Sequence, residues 1–274
     1  MEKNSTLEVL KDNKFKFKKA FGQNFITDTN LLAAIVNDAN ITKDDIVVEI
    51  GPGAGTLTKE IAKKAKHVYA FEIDTQLEAV LKETLKDCDN VDIIFKDIQK
   101  VKDEELAQLV GTEYKVVANL PYYITTPIIM RFLESANLPK SITVMVQKEV
   151  ADRLVAEAGS EAFGAITLSI KLYGDAKIKR FVSRKLFTPQ PNVDSSIVSI
   201  EVSQRYDDVD KDRVKKLIRA AFAMRRKTLV NNICSVYKVD KEKIITTIKT
   251  LGFGEKVRGE ELDIEDYIKL ANEI

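Results

Sequence analysis

The sequence predicts an α/β fold, with an open sheet that an antiparallel strand pair closes and a small all-α C-terminal domain. Three observations carry this reading. Short apolar runs alternate with longer helical patterns between residues 27 and 146. Two β-type runs, Ile178–Ser183 and Ser195–Val202, are joined by a loop without a crossover helix, which implies an antiparallel pair. From Val209 onward no β-rich run of useful length remains.

Taken in order, the strands are expected at Ile46–Ile50, His67–Phe71, Val91–Phe95, Tyr114–Ala118 and Ile142–Val146. Helices are expected between them. Thr27–Asn37 has Thr27 or Asp28 as N-cap and Leu31, Leu32, Ile35 and Val36 as its apolar stripe. Thr56–Lys64 and Thr75–Leu85 follow, and Pro127–Ser135 turns Ile128, Ile129, Phe132 and Leu133 inward. After Gln147 the pattern predicts helices at Lys148–Glu157 and Phe163–Tyr173 around Gly159-Ser160. In the last part, Val214, Leu217, Ile218, Ala221 and Phe222 form one helical stripe, and Leu262–Ile274 forms a short helix with Asp263 as N-cap. The expected organisation is a basic arm over residues 1–20, an α/β domain over 21–205 and a helical domain over 206–274.

Composition narrows the function. Hydrophobic residues make up 45% of the 274, enough for a sizeable core. No apolar run approaches the roughly 20 residues of a membrane span, and the lysine-rich start lacks the apolar stretch of a secretory signal. Cys88 and Cys234 lie far apart and read as reduced thiols of a cytoplasmic protein. The single histidine, His67, excludes a multi-histidine metal site and reads as the start of a strand. No metal and no membrane partner is expected, and a monomer is. The net charge of +1 is segregated: residues 41–110 hold 15 acidic and 10 basic side chains, whereas 171–185 hold six basic and one acidic, and 211–227 eight basic and one acidic. With Lys14, Lys16, Lys18 and Lys19 around Phe15 and Phe17, three basic clusters point to a polyanion such as nucleic acid. The phosphate-binding candidates are Lys211, Arg213, Lys215, Lys216, Arg219, Arg225, Arg226 and Lys227.

Two constellations carry chemistry. In the first, the run Val47–Ile50 leads into Gly51-Pro-Gly53-Ala-Gly55 and a helix. Glycine permits the φ values and the close backbone approach that a bound nucleoside needs, and a helix start offers free N–H groups. The G-x-G-x-G spacing differs from the G-x-G-x-x-G of nicotinamide and flavin enzymes, and the preceding Glu49 suits an S-adenosylmethionine site. Glu72 ends the next run, where a carboxylate can accept both ribose hydroxyl protons. Asp97 ends the third, either as a contact to the adenine edge or as a helix N-cap. Gly51, Gly53, Glu72, Ile73, Asp97 and Ile98 are the candidate cofactor contacts here, joined by Asn119.

In the second, Tyr114–Ala118 runs into Asn119-Leu120-Pro121-Tyr122. The Asn119 amide oxygen and a nearby backbone carbonyl can each accept one N–H of a flat amine, while an aromatic ring stacks on the base that carries it. Asn119, Leu120, Pro121 and Tyr122 are the catalytic candidates, with Phe187 either packing on the other face of the base or serving as core.

Five motifs stand in one order: Phe21-Gly-Gln-Asn-Phe-Ile26, Glu49-Ile-Gly-Pro-Gly-Ala-Gly55, Asn119-Leu-Pro-Tyr122, Gln147-Lys-Glu149 and Phe187-Thr-Pro-Gln-Pro-Asn-Val-Asp-Ser195. In this the chain resembles the ribosomal RNA adenine dimethyltransferases, in particular their bacterial small-subunit branch, from about Lys18 to its end. The resemblance implies a Rossmann-like class I S-adenosylmethionine-dependent methyltransferase sheet. It implies dimethylation of N6 on two adjacent adenines in the 3′-terminal hairpin of 16S RNA in the 30S subunit, and a part in small-subunit biogenesis. It implies cofactor contacts at Asn24, Ile26, Gly51, Glu72, Asp97 and Asn119. Ile26 stands where the family often has leucine, which keeps an apolar contact. The alternatives are a 23S RNA adenine-N6 methylase, which shares the cofactor and Asn-Pro-aromatic motifs, and a non-catalytic assembly factor on the same fold.

Overall fold

A computed structural model of the protein describes residues 25–26, 28–224, 226–237 and 239–274, without the Tyr122 side chain. The expectations for the basic arm, Asn24, Arg225 and the Tyr122 ring lie outside the described residues. The chain divides into two compact units, one of residues up to Ala151 with Lys177–Val202, the other of Asp152–Ala176 with Ser203–Ile274. Chain order alone groups 152–176 with the sheet; the packing groups it with the C-terminal helices.

The described strands are β1 (Phe25–Ile26), β2 (Ile46–Ile50), β3 (His67–Glu72), β4 (Val91–Phe95), β5 (Tyr114–Asn119), β6 (Ser141–Gln147), β7 (Gly174–Val182), β8 (Phe187–Thr188) and β9 (Ser195–Val202). The main sheet runs β4-β3-β2-β5-β6-β9-β7. Strands β4 to β6 pair in parallel, and β9 turns against β6 with Ser141 opposite Glu201 and Gln147 opposite Ser195. The antiparallel closure follows the sequence reading, although β7 starts at Gly174, before the first apolar residue that marked it.

Register decides what shares a face. Ile50 lies opposite both Phe71 and Ala118, so Gly51, Glu72 and Asn119 come next on three neighbouring strands. Side chains alternate along a strand, so Val47, Val68, Val117, Met145 and Ile197 share one face of the sheet. They form one core with Leu31, Leu32, Ile35 and Val36 of α1 (Thr29–Asp38) and with Leu57 and Ile61 of α2 (Thr56–Ala62). The segment Thr75–Leu85 is a 3-10 turn at Thr75–Leu77 followed by α3 (Glu78–Thr84). Helix α4 (Asp103–Val110) has no counterpart in the sequence reading. Its buried residues are only Leu106 and Val110, one pair at i, i+4, too short a stripe to stand out. On the opposite face of the sheet, α5 (Thr125–Leu133) buries Ile128, Ile129, Phe132 and Leu133, with Phe132 6.4 Å from the Tyr114 ring. Helix α6 (Lys148–Leu154) follows β6 directly.

The second unit is helical. Its helices are α7 (Ala165–Lys171), α8 (Lys211–Ala221), α9 (Leu229–Val236), α10 (Lys241–Thr250) and α11 (Ile264–Glu273). Helix α8 buries Val214, Leu217, Ile218, Ala220 and Ala221 and packs against α7, α9 and α11. Asp263 caps α11, and the buried Tyr267 hydroxyl donates to the Gly259 carbonyl at 2.9 Å.

Helix α1 supplies four core residues, and Asp28 fixes its start by accepting from the Leu31 N–H at 2.8 Å. Asp28→Ala should cost about 1 kcal/mol. Urea unfolding should show a lower midpoint with an unchanged slope.

Candidate active site

The three aligned strand ends open into a cavity of about 300 Å³. Asn119, Leu120 and Pro121 from the end of β5, Gly51 and Gly53 after β2, Glu72 and Ile73 after β3, and Asp97 and Ile98 after β4 all line it. Ile26 and Phe187 line it as well. These residues lie up to 161 positions apart in sequence, and the small β1–β8 ladder, with Ile26 opposite Phe187 and Phe25 opposite Thr188, draws the most distant ones together. The Thr56 hydroxyl donates to the Ile26 carbonyl at 3.2 Å and ties this ladder to the glycine turn.

The turn after β2 needs its glycines. Gly51 and Gly53 have φ of +69° and +58°, which disfavour any side chain. A Cβ on Gly53 would also stand 2.9 Å from Cε1 of Phe25. Glycine there lets the Phe25 ring lie directly on the loop. Phe25 belongs to a motif the sequence analysis quoted, yet it was not singled out, because its contact is made only across the fold.

Glu72 is buried and accepts three backbone N–H groups. Oε1 takes those of Ile73 at 2.8 Å and Asp74 at 2.9 Å, and Oε2 takes that of Gly53 at 3.2 Å. A carboxylate offers about four lone-pair positions, so one remains for a ligand. Burial raises its pKa against the opposing effect of these three donors. Glu49 stands two residues before Gly51 on the same face as Glu72 and is only 1% exposed. Its Oε2 has no hydrogen-bond partner among the described residues. Burial, reinforced by the neighbouring Glu72 carboxylate, pushes the Glu49 carboxyl up to about 8. An orphaned buried carboxyl oxygen beside a second carboxylate is a place for a positively charged ligand group.

Asp97 lines the same cavity, and its Oδ1 caps the 3-10 turn Ile98–Lys100 by accepting from the Gln99 N–H at 3.0 Å. The N-cap is therefore present in the structure, and the second oxygen lies 4.0 Å from the Lys100 ammonium. Pro121, with φ of −55°, turns the chain out of β5, and its carbonyl accepts from the Ile124 N–H at 3.1 Å. Phe187 is only 4% exposed and joins the core under α1 while also walling the cavity, so its two readings are compatible. Tyr123 lines the cavity with 59% of its surface exposed, and the sequence reading passed over it in favour of its neighbour. His67 opens β3 and pairs with Asp92 at 2.9 Å, away from the cavity.

Of the cationic candidates in the second unit, Lys211 pairs with Asp207 and Lys215 with Asp212, both at 2.8 Å. Arg213, Lys216, Arg219, Arg226 and Lys227 are exposed. The turn before α9 is braced by Asn232, whose side-chain nitrogen donates to the carbonyls of Ala221 at 2.6 Å and Met224 at 3.1 Å. Among the described residues no cluster of His, Cys, Asp and Glu could hold a metal ion, and no helix is long and apolar enough to cross a membrane.

Since the folded pKa of Glu49 lies above its unfolded value, its contribution to stability is complete below about 4.5 and is lost as pH rises through about 8. Glu49→Gln removes that loss. The melting temperature of the variant relative to wild type should therefore climb from pH 5 to pH 8.5, by more than about 2 °C. A difference independent of pH would mean that Glu49 is not the buried acid.

Residues 14–274 match the sequence model of the family described as ribosomal RNA adenine dimethylase. The chain is 44% identical over 273 residues to a Clostridioides difficile protein named ribosomal RNA small subunit methyltransferase A, covering 98% of this chain and 94% of that protein. It is 45% identical over 278 residues to the protein of the same name from Bacillus pumilus, covering 97% and 94%. Among solved structures, a dimethyladenosine transferase from Plasmodium falciparum matches with TM-score 0.76 and 28% identity, covering 90% of this chain and 95% of that one. The 23S rRNA methyltransferase ErmE, at 23% identity and TM-score 0.72 over 91% and 99%, shares the fold. The chain belongs to the ribosomal RNA adenine dimethylase family.

Proposed function

We propose that the protein transfers methyl groups from S-adenosylmethionine to N6 of two adjacent adenines in the 3′-terminal hairpin of 16S RNA. Acting on ribosomal RNA, it would work in the bacterial cytoplasm and contribute to small-subunit biogenesis. One observation carries the proposal: Asn119 at the β5 end lines the same cavity as two buried carboxyl groups, one with an unsatisfied oxygen. That donor set fits the cofactor, which is cationic at its sulfonium and ammonium groups. Gly51 and Gly53 would lie against its methionine part, Glu49 would balance positive charge, and Glu72 would accept from the ribose. Asp97 would meet the adenine edge with Ile73 and Ile98 beside it, and Ile26 would add an apolar contact. The bound cofactor supplies an electrophilic methyl group.

The protein's own task is to hold a poor nucleophile. The adenine N6 lone pair is delocalised into the ring. Asn119 Oδ1 and the Leu120 carbonyl each accept one amine hydrogen, orienting the nitrogen and localising its lone pair. Pro121 fixes the chain direction that sets both acceptors. Phe187 closes the wall behind the base and keeps water out. An in-line displacement at carbon needs such positioning more than a strong base. The base must first leave its stack, at roughly a few kcal/mol. After one transfer a single N–H remains for the same acceptors, which permits a second transfer once the base turns or rebinds.

Mass spectrometry of 30S RNA incubated with protein and S-adenosylmethionine tests the whole reading, with dimethyladenines as the expected product. Asn119→Ala should cut their yield by orders of magnitude while cofactor affinity changes far less. Near-normal turnover in that variant would refute the acceptor role.

The exposed cations of α8 and the following turn are assigned to RNA phosphates. Replacing Lys216, Arg219, Arg226 and Lys227 by glutamine should lower the salt slope of RNA binding by roughly 0.7–0.9 for each cation that meets a phosphate. An unchanged slope would reduce them to a solvated face.

A further inference from the structure

The helical unit carries a second hollow, of about 400 Å³, within the roughly 300–1,000 Å³ range of small-molecule sites. Two helices wall it. Lys216, Arg219 and Ala220 come from α8, at i, i+3 and i+4, and therefore from one face of the helix. Val236 and Tyr237 come from the C-terminal end of α9. Ala220 contributes only a methyl group, which leaves room between the long side chains on either side of it. Val236 is 57% exposed and Tyr237 half-buried, so aliphatic and aromatic surface stands open at a helix end. An exposed aliphatic side chain beside an aromatic ring thus borders the two cations of α8.

Charge narrows the choice. Lys216 and Arg219 are exposed at the rim, and Lys216 forms no ion pair among the described residues. Their field is felt locally: Lys215, bonded to Asp212, holds that carboxyl below its usual range, and Lys216 and Arg219 add to the effect. A neutral aliphatic side chain of a protein partner would fill the hollow without engaging the positive charge at its rim. A base pair within a duplex has no free face to offer the ring. A single unpaired nucleotide is flat and weakly polar on its face and carries its phosphate at one edge.

We propose that this hollow binds one unpaired nucleotide of the RNA, with its base against Tyr237 and Val236 and its phosphate on Lys216 and Arg219. The proposal rests on the RNA-binding role given above to α8 and deepens it: the helical unit distinguishes single-stranded from paired RNA instead of reading charge alone.

The chain contains no tryptophan, so Val236→Trp in the full-length protein makes a unique fluorescent reporter at the mouth of the hollow. A short oligouridylate should quench it saturably, and a blunt RNA duplex of equal charge should not. In the otherwise wild-type chain, Tyr237→Leu should weaken oligouridylate binding, read by anisotropy, about fivefold or more while leaving duplex binding unchanged. The anisotropy comparison decides alone should the tryptophan variant fail to fold. Equal quenching by both RNAs, or RNA binding without quenching and without loss in Tyr237→Leu, would overturn the pocket and leave the RNA-binding reading standing. Absence of binding by either RNA would overturn both. Quenching by an acidic leucine-containing peptide but not by RNA would make the hollow a protein-docking site and overturn the proposal.

Discussion

The parallel register of β2, β3 and β5 is the constraint on which the site depends. Backbone hydrogen bonds place Ile50 opposite Phe71 and Ala118. The next residue of each strand, Gly51, Glu72 and Asn119, therefore meets the others at one edge of the sheet. A slip of one residue would turn Glu72 and Asn119 to the opposite face. The slip is prevented by the core, since it would also expose Val47, Val68 and Val117, which α1 and α2 cover. Chemistry at the strand ends is thus held in place by apolar packing beneath it.

Two carboxylates inside that edge cost stability. Glu72 offsets part of the cost with three backbone donors, whereas Glu49 keeps an oxygen with no partner and a proton near neutral pH. A folded chain gains nothing from an arrangement of this kind unless something positive arrives. Strain of this sort concentrates where ligands bind, and here it coincides with glycines in left-handed conformations. The electrostatics and the backbone geometry point to the same cavity without reference to any relative.

The two units differ in physical character. The strand ends gather buried carboxyl oxygens and an amide around one cavity. The helical unit presents exposed cations on α8 and in a turn that Asn232 holds by two hydrogen bonds. Long flexible cations on a rigid frame suit a polyanion whose charges recur along its length.

The sequence by itself determined the seven strands of the main sheet, the helix cap at Asp263, a first cap narrowed to Thr27 or Asp28, and the local motifs at Gly51–Gly55 and Asn119–Tyr122, because each rests on periodicity or on contacts within a few residues; it did not show β1 and β8. Helix α4 escaped it, since a single buried pair makes no visible stripe, and so did the grouping of Asp152–Ala176 with the C-terminal helices, since packing partners are not marked in chain order. Only the tertiary structure decided that Phe25 lies on Gly53, that Ile26 pairs with Phe187, that Glu49 is left with an orphaned oxygen, and that Val236 and Tyr237 open beside Lys216. Burial and long-range pairing are properties of the folded surface, and no stretch of a dozen residues contains them.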